Sequence, residues 1–418
     1  MGKLILLVLR LFGRRGSSFP GMIVERVHPS FLAHSLDKLP YGVIVVSGTN
    51  GKTTTTKMVA ALVGHDQRVL TNPTGANFTR GVVSSVIEQS SWSGHLNKTA
   101  AVLELDEAYA VQFVEQVPPR GVLLLNVMRD QMDRFGEIDH TARMLGQVAA
   151  AATEFVVLNA GDRRVRALHE QVGPGVRISY FGVGPALRPI FLSDDELYGA
   201  AAHLGDTIDS EAPPADYRLD AIDPGQISIH ADGTDYDVAL HIFGSHNALN
   251  ATAAFGVARQ SGVPADTAVA SLEGISAAFG RGEFIDVGER RVLLQLVKNP
   301  GGFRHSLLDI GSVSPSRVLI VINDDYADGR DVSWLWDVDF RALEDYTVAT
   351  SGTRADDMTL RLAYDGITAS STVVNLRRAM ERALEETPDG GTVAVCATYT
   401  AMFAMRKELA EMTDVEKV

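Results

Sequence analysis

The feature that most constrains the fold is an apolar run that passes directly into a glycine turn and a helix start: Val43-Ile44-Val45-Val46-Ser47, then Gly48-Thr49-Asn50-Gly51-Lys52-Thr53-Thr54. A continuous apolar run suits a strand buried on both faces, and such strands belong to parallel sheets flanked by helices. The glycines let backbone N–H groups close on phosphate oxygens, and the start of the following helix adds a favourable dipole. Lys52 is placed to reach β- and γ-phosphates, and the Thr53 hydroxyl to ligate Mg2+. The general P-loop has a further glycine five positions before Gly51, where this chain has Val46. An incidental glycine–lysine–threonine turn would have no reason to sit between a strand and a helix, as this one does.

The same pattern continues along the chain. Apolar runs at 43–47, 101–105, 121–126, 155–159 and 176–181 alternate with helix-like stretches such as 52–63 and 140–153. This predicts a mostly parallel sheet covered on both faces. Residues 186–240 are rich in Asp, Pro, Gly and Ala, with short alternating segments at 226–230 and 236–242 that predict a small antiparallel insertion. Helical periodicity returns at 247–261 and 264–272. A second alternation follows, with runs at 291–297, 317–322, 346–350 and 392–397, helices between them, and a last helix at 399–412. The expected fold class is α/β, with an N-terminal segment over 1–40, a central P-loop domain over 41–284 and a second α/β domain over 285–418. A chain of 418 residues has room for two or three cores.

Charge and cysteine content remove other classes. With 52 acidic against 38 basic residues the net charge is −14, so the chain has no basic nucleic-acid footprint and no nucleic-acid partner is expected. The single cysteine, Cys396, lies in an apolar run and reads as a core residue. No disulfide framework is possible within the chain, which fits the cytoplasm. The N-terminal run around Leu4–Leu9, with Arg10, Arg14 and Arg15, is shorter than the ~20 residues a spanning helix needs and lacks a small-residue cleavage site. It can be read equally as a basic amphipathic helix resting on the inner face of the plasma membrane or as a helix packed on the main domain.

Six elements occur in one order and resemble the Mur ligase and folylpolyglutamate synthase superfamily. They are the Gly48–Thr54 loop, Glu104 at the end of the next long strand, and Asn126 with Asp130, Asp133 and Gly136. They continue with Leu158-Asn159-Ala160-Gly161-Asp162, Gly244-Ser245-His246-Asn247 with Asn250, and Gly280-Arg281 with Glu283. The resemblance implies a Mur ligase central domain with a C-terminal Rossmann-like domain. It implies ATP on Gly48, Thr49, Asn50, Gly51, Lys52, Thr53 and Thr54, with Asn247 and Asn250 on the adenine side and Mg2+ on Thr53 and Glu104. Lys52 and Arg281 would then act on the phosphates. The chemistry implied is phosphorylation of a carboxylate to an acyl phosphate, which an amine then attacks.

Two departures narrow the resemblance. Gln131 stands where amino-acid-adding Mur ligases place a second metal-site histidine, and residues 141–200 contain no lysine, although many of those enzymes carry a carbamylated one there. Gln131 and its neighbours resemble the MurT branch, the ligase subunits of lipid II isoglutaminyl synthases. Segments 297–303 (containing Asn299), 323–337, 351–358 and 398–401 agree with that branch. The resemblance implies amidation of the D-glutamate carboxylate of the peptidoglycan stem in lipid II. The ammonia would come from a GatD-type glutamine amidotransferase partner. It adds Asn299 to the nucleotide-binding set and implies an aspartate lent to the partner's catalytic triad: Asp331, with Asp328 and Asp337 as fallbacks. Many MurT proteins carry a four-cysteine zinc ribbon in the insertion. This chain has no cysteine there and His203 alone cannot supply four ligands, so no zinc is expected. A stand-alone amino-acid ligase and a nucleotide-binding regulatory scaffold are the competing readings. The missing lysine and Gln131 count against the first, and the intact Lys52, Thr53, Glu104 and Arg281 against the second.

Overall fold

The computed structural model describes residues 2–4, 7, 19–72, 79–129, 138–193, 196, 214–275 and 281–413. The chain forms two compact units. The first comprises Met1–Met128, Gly136–Leu240 and Asn247–Ile275, and the second Arg129–Phe135, His241–His246 and Ser276–Val418.

In the first unit the described strands are β1 (Gly42–Ser47), β2 (Val69–Thr71), β3 (Ala100–Glu104), β4 (Gly121–Leu124), β5 (Phe155–Asn159), β6 (Arg177–Val183), β7 (Tyr217–Asp223), β8 (Gln226–Ala231) and β9 (Thr234–Ala239). They form one sheet in the order β2-β3-β1-β4-β5-β6-β7-β8-β9. Val43 and Val45 of β1 join a core with Leu103, Val122, Val156 and the helical residues Val86, Phe113 and Leu145. Ile44 and Val46, on the opposite face, are equally buried. Burial on both faces is why β1 is apolar without interruption, and each such Val or Ile contributes about 1.5–3 kcal/mol. The segment read as an antiparallel insertion does contain antiparallel strands, β7 to β9. They do not form a sheet of their own, because β7 pairs in parallel with β6 and extends the main sheet. Here one face is solvated, and in β8 the buried Ile227, Ile229 and Ala231 alternate with Gln226, Ser228 and His230. His203 and the rest of the cysteine-free framework at 197–213 lie outside the described residues.

The second unit has its own sheet, in the order β10-β11-β15-β12-β13-β14. Its strands are β10 (Arg281–Val287), β11 (Arg290–Leu296), β12 (Arg317–Val321), β13 (Val348–Ser351), β14 (Ser371–Val373) and β15 (Thr392–Ala397). β10 is antiparallel to β11, and the others run parallel. β10 spans position 285. One face packs on Met380, Leu384, Met402 and Met405, the other on Phe303, Ile310, Met358 and Leu362.

Candidate active site

The site is built where β1 ends. The chain leaves β1 toward β2 and β3 on one side and returns through β4 on the other. This is a switch point, where the carboxyl ends of strands leave a crevice. The loop after Ser47 turns on Gly48 (φ 129°) and Gly51 (φ 87°), conformations that side chains disfavour. A Cβ on Gly51 would lie 2.6 Å from Asn250 Oδ1, so the loop is pressed against the helix Ser245–Gln260. Asn250 Nδ2 in turn donates to Asn247 Oδ1 at 3.4 Å, and both side chains are buried. The structure thus brings Asn247 and Asn250 to the loop.

Asn126 braces the loop from β4. Its Oδ1 accepts the Asn50 N–H at 2.8 Å, its Nδ2 donates to the Asn50 carbonyl at 3.1 Å, and its own carbonyl accepts the Thr49 N–H at 2.9 Å. The Thr49 hydroxyl accepts the Met128 N–H at 3.0 Å. Asp162 holds the same stretch by accepting the Val127 N–H at 2.7 Å while capping the next helix through Val165 at 3.0 Å. Asn126 and Asp162 are thus supports for the loop.

The helix Lys52–Val63 starts at Gly51 with no side-chain cap on its first N–H groups. The Lys52 ammonium is buried, 2.5 Å from the Gly48 carbonyl, 3.3 Å from that of Thr49 and 3.5 Å from Glu107 Oε2. Thr53 Oγ1 donates to Glu104 Oε1 at 2.9 Å, and β3 register sets Glu104 beside Val46 of β1. Asn72 fixes Glu104 through both backbone groups: Nδ2 donates to the Glu104 carbonyl and Oδ1 accepts its N–H, each at 2.9 Å. Glu107 and Asn72 were not singled out from the sequence. In the sequence Glu107 is one more acid three positions after Glu104, and only the fold brings it to Lys52. Asp130, Gln131, Asp133, Gly136 and Gly280 lie outside the described residues.

In the second unit, Arg281 opens β10; its side chain lies outside the described residues. Asn299 caps the helix Pro300–Val313, its Oδ1 accepting the Gly302 N–H at 2.8 Å. The loop after β12 separates its acids. Asp331 is exposed and accepts the Ser333 N–H at 2.8 Å, which holds its carboxyl below the usual range. Asp337 is also exposed. Asp328 is turned inward: it accepts the Thr400 N–H at 2.7 Å and the Thr400 hydroxyl at 2.5 Å, and burial pushes its pKa up. Asp324, passed over in the sequence, accepts from Thr353 at 2.9 Å and Arg354 at 2.8 Å, which lower its pKa. Cys396 is buried in β15, and burial raises its pKa, so the thiol is no nucleophile.

One other group of described residues has metal-ligand chemistry. Asp220, His230 and Asp235 converge on the solvent face of β7 to β9, but Arg218 already holds Asp220 through two bonds of 2.6 and 2.8 Å.

Comparison with known proteins decides the family. The Mur ligase middle domain matches residues 46–258, and the MurT ligase C-terminal domain matches 296–402. Over 96% of its length the chain is 32% identical to the lipid II isoglutaminyl synthase (glutamine-hydrolyzing) subunit MurT of Streptococcus pneumoniae, covering 94% of that protein. The chain belongs to the MurT family. A MurT subunit from Staphylococcus aureus is 28% identical, with 98% of this chain and 96% of that one covered. Among solved structures, MurF of Thermotoga maritima in complex with ADP aligns with a TM-score of 0.70 at 15% identity, covering 94% of this chain and 85% of that one. MurF of Acinetobacter baumannii gives 0.70 at 19%, covering 91% and 79%. These likenesses show the Mur ligase fold, the α/β architecture expected from the motif order.

Proposed function

We propose that the chain is the ATP-using ligase subunit of a glutamine-hydrolysing lipid II isoglutaminyl synthase. The observation that carries the reading is its similarity to MurT subunits over nearly the whole length of both chains. In this reading the N–H groups of residues 48–54 cradle the ATP phosphates, and Lys52 exchanges the Gly48 and Thr49 carbonyls for phosphate oxygens. Asn247 and Asn250 lie on the adenine side, and Arg281 faces the phosphates. The Thr53 hydroxyl and the Glu104 carboxylate are hard oxygen donors 2.9 Å apart, a set suited to Mg2+. When bound, the ion neutralises charge on the β- and γ-phosphates. The D-glutamate carboxylate oxygen attacks the γ-phosphorus and ADP leaves. Ammonia then attacks the carbonyl carbon of the acyl phosphate, a proton is lost from nitrogen, and phosphate departs as the amide forms. Asn299 fits a capping role better than a nucleotide contact, since its Oδ1 is engaged by Gly302.

The ammonia comes from a GatD-type partner, in keeping with the absence of a usable nucleophilic cysteine in this chain. Asp331 is the carboxylate offered to that partner's triad. It is exposed and held ionised by Ser333, whereas the inward Asp328 is spent on Thr400. The test incubates purified chain with lipid II, ATP, Mg2+ and ammonium, and follows the acceptor by mass spectrometry. Replacement of a carboxyl hydroxyl by an amino group is expected. Incorporation of an amino acid instead would return the stand-alone ligase, and no ATP turnover with or without partner would leave the scaffold.

A further inference from the structure

The second unit has its own switch point. From β12 the chain runs outward to β13 and β14, then returns to β15 on the other side of β12. The carboxyl ends of β12 and β15 therefore flank a crevice of the kind in which α/β sheets take ligands. The helix Tyr399–Met412 starts there, and its N-cap residue, Thr398, makes no side-chain cap; its hydroxyl instead accepts the Asn323 N–H at 2.9 Å. An N-terminus in that position attracts an anion. The chain supplies one. The Asp328 carboxylate, 5% exposed, accepts the Thr400 N–H through Oδ1, and the Thr400 hydroxyl and the Asp325 N–H (3.2 Å) through Oδ2. Asn323 Nδ2 donates to the Thr400 hydroxyl at 3.2 Å and closes the network.

We propose that Asp328 is a built-in anion that fills the second unit's ligand crevice and thereby positions the loop that carries Asp331. Its hydrogen-bond partners are donors only, and among the described residues no cation pairs with it. A buried carboxylate is retained against its desolvation cost when several donors and a helix dipole converge on it. The tether falls three residues before Asp331, on a loop that is otherwise exposed at residues 325–327 and 330–331. Asp328 touches no reacting atom in this account. It is a positioning residue, and its proposed effect on turnover rests on the partner reading above.

The test is chemical rescue. Asp328→Ala should lower the melting temperature by about 2–6 °C, the scale of a lost helix cap. Excess acetate or formate should restore it, and equal chloride should not, while wild type responds alike to all three. With the glutaminase partner present, glutamine-dependent turnover of Asp328→Ala should fall roughly tenfold or more, short of the roughly 10⁴ that loss of a triad carboxylate costs. Ammonium-dependent turnover should hold, and acetate should recover the glutamine reaction. Asp328→Asn, which keeps one acceptor oxygen, should fall between the two and covers the case in which the alanine variant does not fold. Equal recovery in chloride and acetate overturns the anion cradle. An equal loss with both ammonia sources, or no loss with either, overturns the positioning role. A wild-type complex silent with glutamine sinks the partner reading itself, and the melting-temperature rescue needs no partner.

Discussion

Replacing Lys52 by alanine should abolish turnover and also unsettle the first unit, because Lys52 has two duties. Its ammonium and the Glu107 carboxylate are 3.5 Å apart, with side-chain exposures of 10% and 6%. Solvent therefore screens the pair little. At that distance an effective dielectric near 20 gives an attraction of about 4–5 kcal/mol, from which both desolvation costs must be subtracted. Removing Lys52 takes this cation away from a buried carboxylate, and breaking such a pair costs about 3–5 kcal/mol. The pair is at the long end of contact, so we expect about 2–3 kcal/mol, or a melting-temperature loss of about 4–12 °C. Lys52→Ala with Glu107→Gln should regain most of that loss, since the charge left behind is removed as well. Neither variant should turn over, and the loss should be at least about 10²–10³-fold, the scale of one electrostatic donor. Differential scanning calorimetry and an ADP-release assay on the same preparations check both halves. A single variant as stable as wild type would refute the ion-pair argument, and a stable single variant that still formed ADP at a near-normal rate would refute the phosphate site.

Gly51→Ala puts a side chain at φ 87° and a Cβ 2.6 Å from Asn250 Oδ1. It should cost about 1–2 kcal/mol and weaken ADP binding in titration calorimetry, and unchanged affinity would separate the loop from the nucleotide. Asp331→Asn in the complex should spare ammonium-dependent turnover and depress the glutamine reaction by up to about 10⁴-fold. If Asp324→Asn did so instead, the triad carboxylate would be Asp324. His305 has its pKa pushed down to about 3 by burial, with His246 adding to the shift and Asp309 opposing it. The unfolded chain binds a proton near pH 6.5 that the native state refuses, so stability is full above that pH and is lost as pH falls below it. The slope is at most about 1.4 kcal/mol per pH unit, less here because the imidazole is only part-buried by surface. His305→Gln should flatten the melting-temperature profile between pH 6.5 and 5, and an unchanged profile would place the titration elsewhere.

The P-loop was legible because its chemistry is local: a strand, two glycines, a lysine and a threonine within a dozen residues. Glu104 was legible because it ends a strand beside β1. The supports were less so, since Asn72 and Glu107 act across chain separations that no local spacing encodes. The edge strand β14, with only Ser371–Val373, and the short β2 left no periodicity to read. β7 shows another limit. It lies within the segment read as an antiparallel insertion, but nothing in its residues says that β6 would take it into the main sheet. In the loop after β12, the pattern of acids did not show which one turns inward. That depends on Thr400, 72 residues farther along.

The short segment His241–His246 bears on how such a protein can be cut or recombined. Phe243 stacks edge-on against Phe284 at 5.2 Å, and its carbonyl lies where a Cβ on Gly282 would come within 2.4 Å. The Ser245 N–H satisfies Asp309, whose carboxylate is 4% exposed. A fragment beginning at 285 would lose these partners and half of β10, leaving a buried acceptor short of a donor at a cost of about 1–3 kcal/mol. During synthesis this strip leaves the ribosome before the strands it completes and must wait for them. A chimaera that exchanges the second unit with another ligase would therefore need this strip to be exchanged together with the sheet.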